Sequence, residues 1–304
     1  MRPEFGESHI SPHLGLGYLS ASLKNAGHKV KVLDGLREKI EYDPKDWDLV
    51  GLTAMSTYFP ECCKIVEKAK SYGLKTIIGG PHIICDPEQS LIDSKADYAA
   101  TGEGERTMTQ LAAGIKPNLV ECLVYWKDGK PKRSNPNVQH LIKEKKLYTT
   151  KIGNQSRDFQ IDIDDFGEPD WSSIDPRSYT KTVPHGMIYK SLPLAPIITT
   201  RGCPYSCTFC HDGTRYQNKI GRFPKERYEQ EFIYIAERTK VPHVCIPDLN
   251  FGILKEDYET AEFLTHLQKE YDWPKTGLGA ICFAKYVAKI KVIIIVVKAE
   301  FAKS

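Results

Sequence analysis

Between residues 13 and 115, short β-branched runs alternate with longer stretches whose apolar positions recur at helical spacing. A parallel sheet with covering helices requires this order. The spacing predicts a first helix over residues 17–25, stopped at Gly27. Strands are predicted at 30–33, 49–53, 76–78 and 98–101, and helices at 60–72, 88–93 and 105–113, a doubly wound pattern. Such a sheet opens with a strand ahead of its first helix, yet residues 1–11 hold no apolar run, so the chain is expected to start inside or just after that strand. Residues 120–194 read differently. Runs at 123–126 and 130–133 flank Asp128-Gly129, a pair that favours a two-residue hairpin loop, and the polar stretch after them has no sustained period. From Ala195 the alternation resumes, with a strand at 197–200, a helix at 225–238, a strand at 244–246 and a helix at 256–270.

The predicted strand ends carry small or polar residues: Thr53 with Ser56, then Gly79 and Gly80, then Thr101 with Gly102, Glu103, Gly104 and Glu105. Open α/β sheets bind ligands at the carboxyl ends of their strands, where glycine lets backbone approach the ligand. One ligand site drawing on all three ends is therefore expected. A single glycine turn ends strands in any α/β domain, and three in register carry more weight. The acids Asp162, Asp164 and Asp165 lack the spacing and glycine of a calcium loop and read as a solvated charged turn.

At 304 residues, two domains are expected. Hydrophobic residues at 41% and charged residues at 27% are ordinary for a globular protein, and a net charge of +3 gives no electrostatic reason to invoke nucleic acid or an acidic membrane. No signal peptide pattern opens the chain. The apolar run at 292–297 is strand-like, because a spanning helix needs about 20 residues. A cytosolic protein is expected. Nine cysteines, an odd number scattered outside one cluster, argue for a reduced compartment rather than a disulfide scaffold.

Three of those cysteines need another explanation. Cys203, Cys207 and Cys210 supply three thiolates within eight residues, on a loop leaving a predicted strand. A cubane iron-sulfur cluster has four irons to ligate, so three cysteines leave one iron open. An open iron can bind the amino and carboxylate groups of S-adenosylmethionine (SAM) and place its sulfonium beside an electron donor, and reductive cleavage then yields a 5′-deoxyadenosyl radical and methionine. The alternative is a structural zinc with His211 or Cys245 as fourth ligand, although zinc ligands normally come in pairs and no second CxxC exists here.

The stretch Thr200-Arg201-Gly202-Cys203-Pro204-Tyr205-Ser206-Cys207-Thr208-Phe209-Cys210 resembles the signature loop of the radical SAM superfamily. By that resemblance, Phe209 contacts the adenine of SAM largely through backbone. Asp248, opening Asp-Leu-Asn-Phe-Gly, lies where the family binds the SAM amino group. The family's usual Gly-Gly-Glu is absent there, and a strand-end turn around Asn250 is the competing reading. Pro12-His13-Leu14-Gly15-Leu16-Gly17-Tyr18-Leu19, Gly79-Gly80-Pro81-His82 and Gly102-Glu103-Gly104-Glu105-Arg106 resemble the cobalamin-binding domain that precedes the barrel in one radical SAM subgroup. A corrin would lie flat over the small-residue strand ends. The DxHxxG motif that supplies a histidine to cobalt is absent, and His9 and His13 match neither its acid nor its glycine, so cobalt is expected to lack a histidine lower ligand. His82 reads either as a contact to the nucleotide tail or as an ordinary surface histidine.

The resemblance implies an α/β chain: a doubly wound, Rossmann-like cobalamin-binding domain at 1–119, a connecting segment with a β-hairpin at 120–194, and a radical SAM (β/α) barrel from 195. It implies a [4Fe-4S] cluster, SAM and cobalamin as cofactors. It further implies an electron donor such as flavodoxin or ferredoxin, and methyl transfer or another radical transformation of a small-molecule or peptide substrate. A full eight-unit barrel takes about 250 residues. Residues 195–304 leave room for part of one, and the tail after 280 no longer resembles the family, so an incomplete barrel, inactive alone, is expected. The alternative is a non-catalytic remnant that keeps only cofactor or metal binding.

Overall fold

Alternation of side chains across a pleated sheet sets the core of the N-terminal half. Strands β1 (Leu49–Thr53), β2 (Lys75–Gly79) and β3 (Tyr98–Ala100) are parallel, and β4 (Leu123–Lys127) and β5 (Lys130–Arg133) add an antiparallel edge in the order β1-β2-β3-β4-β5. The register places Leu52 opposite Ile78, Ile78 opposite Ala99 and Ala99 opposite Val124, one continuous apolar row. Helices α2 (Phe59–Ser71) and α4 (Pro87–Ser94) cover that row with Cys62, Val66, Ala69 and Leu91. Full burial of Val66, Ile78 and Leu91 stabilises the fold by about 1.5–3 kcal/mol each. The opposite row, Ile77, Ala100 and Leu123 with Leu49, Tyr98 and Tyr125, meets Met108 and Leu111 of α5 (Gly104–Ala112). The sheet is therefore covered on both faces, as a doubly wound fold requires.

The computed structural model describes residues 11–35, 37–134, 151–152, 155–156, 167–179, 193–205, 207, 208, 210, 220–275 and 278–280. Phe209, His211, His9, the acids at 162–165 and the tail from 281 lie outside the described residues. Two units divide the chain, the first including Gly15–Ser173 and the second Ile174–Ser304.

Helix α1 runs Leu14–Asn25, three residues longer at its start than expected, and Gly27 takes φ +87 just beyond it. The predicted strand at 30–33 is not part of a ladder. There the valines at 30 and 32 are half-buried between exposed lysines at 29 and 31, and only Asp34 makes an isolated bridge. The Asp128-Gly129 turn forms as expected: both residues have positive φ, 51 and 73, and Lys127 pairs with Lys130 across it. A short helix not foreseen, α3 (Pro81–Cys85), follows β2 directly with proline in its first turn. Lys151–Ile152 (β6) and Gln155–Ser156 (β7) pair as a small antiparallel hairpin.

In the second unit β8 (Leu194–Pro196), β11 (His243–Ile246) and β12 (Leu278–Ala280) form a parallel sheet with β11 in the middle. Helices α6 (Lys225–Tyr234) and α7 (Lys255–Tyr271) lie in the connections to β11 and β12, the succession with which a (β/α) barrel begins. The expected strand at 197–200 is instead a crossing between two sheets. Ile197 N donates to Cys245 O at 2.8 Å, the last bond of the β8 ladder, and the chain re-enters pairing as β9 (Thr200–Gly202), antiparallel to β10 (Ile220–Arg222). Between them the N–H of Thr199 is taken by the Asp248 side chain and cannot serve a ladder.

Candidate functional site

At the carboxyl end of the first sheet the loops after β1 and β2 interlock. Ala54 N donates to Gly79 O at 2.8 Å, and His82 N donates back to Ala54 O at 3.1 Å. Gly80 sits between them at φ +99 and ψ 178, and a Cβ there would lie 2.8 Å from Ala54 N, Ala54 O and Thr53 Oγ1. Only glycine fits, because backbone and the buried Thr53 side chain leave no room. Ser56 Oγ and His82 Nδ1 share a hydrogen bond of 2.9 Å, and the His82 ring lies on Phe59 with centroids 4.1 Å apart. Thr53, Ser56, Gly79, Gly80 and His82 are thus one constellation.

The third strand end joins by packing. A Cβ on Gly79 would stand 3.4 Å from Ala100 Cβ in β3, and Gly104 opens α5 where a Cβ would meet Leu19 Cδ2 at 3.1 Å. Gly102 and Glu103 lie in the turn between β3 and α5 and are half-buried. The surface suits a flat macrocycle: Met55 is 49% exposed, Ser56 and Thr57 are exposed, and the adjacent glycine turn carries no side chain. Cys62 beneath it is a packing group. Its buried thiol donates to Thr53 O, and desolvation pushes it up to about 12.

In the second unit the cysteine loop leaves β9 through Gly202, whose φ of +97 lies in the left-handed region that favours glycine. Cys203 is buried, while Cys207 and Cys210 are half-buried, and Cys210 N donates to Cys207 O at 3.0 Å in a tight turn. All three are free thiols, so the donor set is chemically that of an iron-sulfur cluster. Among the described residues no three His, Cys, Asp or Glu side chains converge closely enough to hold a single metal ion.

The turn after β11 grips this loop at two points. The Asp248 carboxylate accepts from Thr199 N at 2.9 Å, Thr199 Oγ1 at 2.6 Å and Thr200 Oγ1 at 2.8 Å. Desolvation pushes this buried acid up to about 6, against the opposing pull of those hydrogen bonds. Two residues on, Asn250 Nδ2 donates to Cys203 Sγ at 3.1 Å. Below, Asp257 caps the turn by accepting from Gly252 N at 2.8 Å and Leu254 N at 2.9 Å, and it pairs with Arg222 of β10. Cys245, considered above as a zinc ligand, pairs in register with Pro196 and Gly279 inside the parallel sheet, where burial pushes its thiol to about 11. In the sequence Asn250 reads as a turn former, and nothing there marks Thr199 and Thr200 as partners of Asp248. The signal for Asn250 was its position at a strand end close behind Asp248.

Residues 8–112 match the B12 binding domain. An uncharacterized methyltransferase of Pyrococcus horikoshii is 24% identical over 262 residues, 81% of this chain and 50% of that protein. The cobalamin-dependent radical SAM methyltransferase TokK of Streptomyces tokunonensis is 39% identical over 77 residues, 25% of this chain and 11% of that one. In part of its length the chain is thus similar to a B12 binding domain and to a cobalamin-dependent radical SAM methyltransferase. The fold agrees. The structure of the radical S-adenosylmethionine methyltransferase TsrM from Kitasatospora setae, with cobalamin and [4Fe-4S] cluster bound, matches at a TM-score of 0.67 and 16% identity, over 93% of this chain and 55% of that one. The chain spans about half the length of the first of these relatives. The match to the B12 binding domain covers the interlocked strand ends, and the cysteine loop held by Asp248 and Asn250 lies outside it. No helix among the described residues is long and apolar enough to cross a membrane.

Proposed function

We propose that the chain binds cobalamin with its first unit and a [4Fe-4S] cluster and SAM with its second, in the service of methyl transfer to a small-molecule or peptide acceptor. The observation that carries this reading is the coexistence in one chain of a B12-binding domain at 8–112 and three free cysteines at Cys203, Cys207 and Cys210 on the loop after β9. Two relatives that carry methyltransferase names support the transfer step. When bound, the cluster supplies one-electron cleavage of the SAM sulfonium and cobalamin supplies a methyl carrier, with the electron coming from a low-potential donor such as flavodoxin or ferredoxin.

The protein's own residues bind and orient. Cys203, Cys207 and Cys210 ligate three irons. Backbone at Phe209 receives the adenine. Asp248 holds Thr199 and Thr200, and so fixes where the cysteine loop begins. Thr53, Ser56, Gly79, Gly80, Gly102, Glu103 and Gly104 form the surface under the corrin, and His82, held by Ser56 and Phe59, contacts the nucleotide tail. Anaerobic reconstitution of the 304-residue chain tests this. About four irons and four sulfides per chain and stoichiometric cobalamin are expected; stoichiometric zinc, or failure to retain cobalamin, would overturn it in favour of a non-catalytic remnant.

A further inference from the structure

Asn250 and Cys203 are each 6% exposed, and they face one another across the gap between the turn after β11 and the cysteine loop, with Nδ2 donating to Sγ at 3.1 Å. Burying a primary amide costs free energy unless its donors find partners, and here a partner is a sulfur. The approach is held from both sides. Gly202 at φ +97 sets the direction in which Cys203 leaves β9, and Asp248, two residues before Asn250, is bonded to Thr199 and Thr200 just upstream. Cys207 and Cys210 are more exposed, so Cys203 is the sulfur most shielded from water.

We propose that Asn250 tunes the cluster by hydrogen-bonding its Cys203 ligand, raising the potential at which the cluster accepts one electron from its donor. Reduction adds negative charge that spreads onto the ligating sulfurs. An N–H aimed at one of them therefore stabilises the reduced form more than the oxidised form. Low local dielectric strengthens that preference. Asn250 is a positioning and tuning residue in this role, because it touches a ligand and not the reacting atoms. The inference rests on the reading that Cys203 ligates the cluster.

The test is the midpoint potential of the reconstituted 304-residue protein, followed by the electron paramagnetic resonance signal of the reduced cluster against a series of mediators. Asn250→Leu removes the donor at similar volume, and Asn250→Ala removes it with less steric demand. Each is expected to make reduction roughly tenfold less favourable, a downward shift of about 59 mV for one electron. Asn250→Gln keeps the amide and should shift less than Asn250→Leu. Full cluster content with an unchanged potential in both the Leu and Ala variants would overturn the proposal, as would an equal drop in Gln and Leu. Loss of the cluster from every variant would also overturn it, by showing that Asn250 only holds the loop. Failure of the unsubstituted protein to take up a cluster would sink the functional reading instead, so the two failures are distinct.

Discussion

Replacing Gly80 with alanine should damage the first unit more than any other single-methyl addition at a glycine turn there. Two costs combine. At φ +99 and ψ 178 the backbone lies in a region open essentially to glycine alone, worth about 1–3 kcal/mol to a side-chain-bearing residue. The added Cβ would also sit 2.8 Å from Ala54 N, Ala54 O and Thr53 Oγ1, and two of these atoms are backbone tied by the Ala54–Gly79 and His82–Ala54 hydrogen bonds, so they cannot swing aside. Overpacking of this kind costs about 1–3 kcal/mol. The sum, about 4 kcal/mol, is a large fraction of the total stability of about 5–15 kcal/mol that domains possess. Gly73→Ala is the control. It shares a positive φ of +77 but has nothing within 4 Å of the added Cβ, so it should cost only about 1–2 kcal/mol. Urea unfolding followed by circular dichroism, with cobalamin retention measured alongside, compares the two. Equal destabilisation would show that the close approach to Ala54 contributes nothing and would refute the argument from interlocked strand ends.

Asp248 should make stability pH-dependent: its acid is raised from the ordinary 3.8 to about 6, so the folded state holds its proton more tightly than the unfolded state. The resulting stabilisation is present in full below about pH 4 and is lost as pH rises to about 6, roughly 3 kcal/mol in all. Asp248→Asn should flatten the stability profile over that window, and a profile parallel to that of the unsubstituted protein would count against the burial argument. Serine at Cys203, Cys207 or Cys210 should each abolish the brown absorbance of the reconstituted protein, and a full cluster in any one of them would remove that cysteine from the ligand set. Because the DxHxxG motif is absent, the Co(II) form should show no nitrogen hyperfine splitting in electron paramagnetic resonance; splitting that disappears in His82→Ala would make His82 the lower ligand.

The elements whose signal is local were legible from the chain alone. Strands at 49–53, 76–78 and 98–101 announce themselves because both faces of a doubly covered sheet are apolar, and the register that aligns Leu52, Ile78, Ala99 and Val124 follows from that alternation. Asp128-Gly129 dictates its hairpin because few other residue pairs tolerate two consecutive positive φ values. The cysteine spacing gives the candidate ligand set, since three thiols fall within eight residues. Tertiary structure decided what depends on distant partners. Residues 197–200 look like one strand, but Asp248, 49 residues away from Thr199, takes that residue's N–H and turns the segment into a crossing between two sheets. The valines at 30 and 32 carry strand propensity, yet a ladder needs a neighbour at the right distance, and propensity does not supply one. Asn250 reads as a turn residue until the fold brings it across 47 positions to the sulfur of Cys203, because a side-chain hydrogen bond is a property of two places in space and only one of them is visible at a time along the chain.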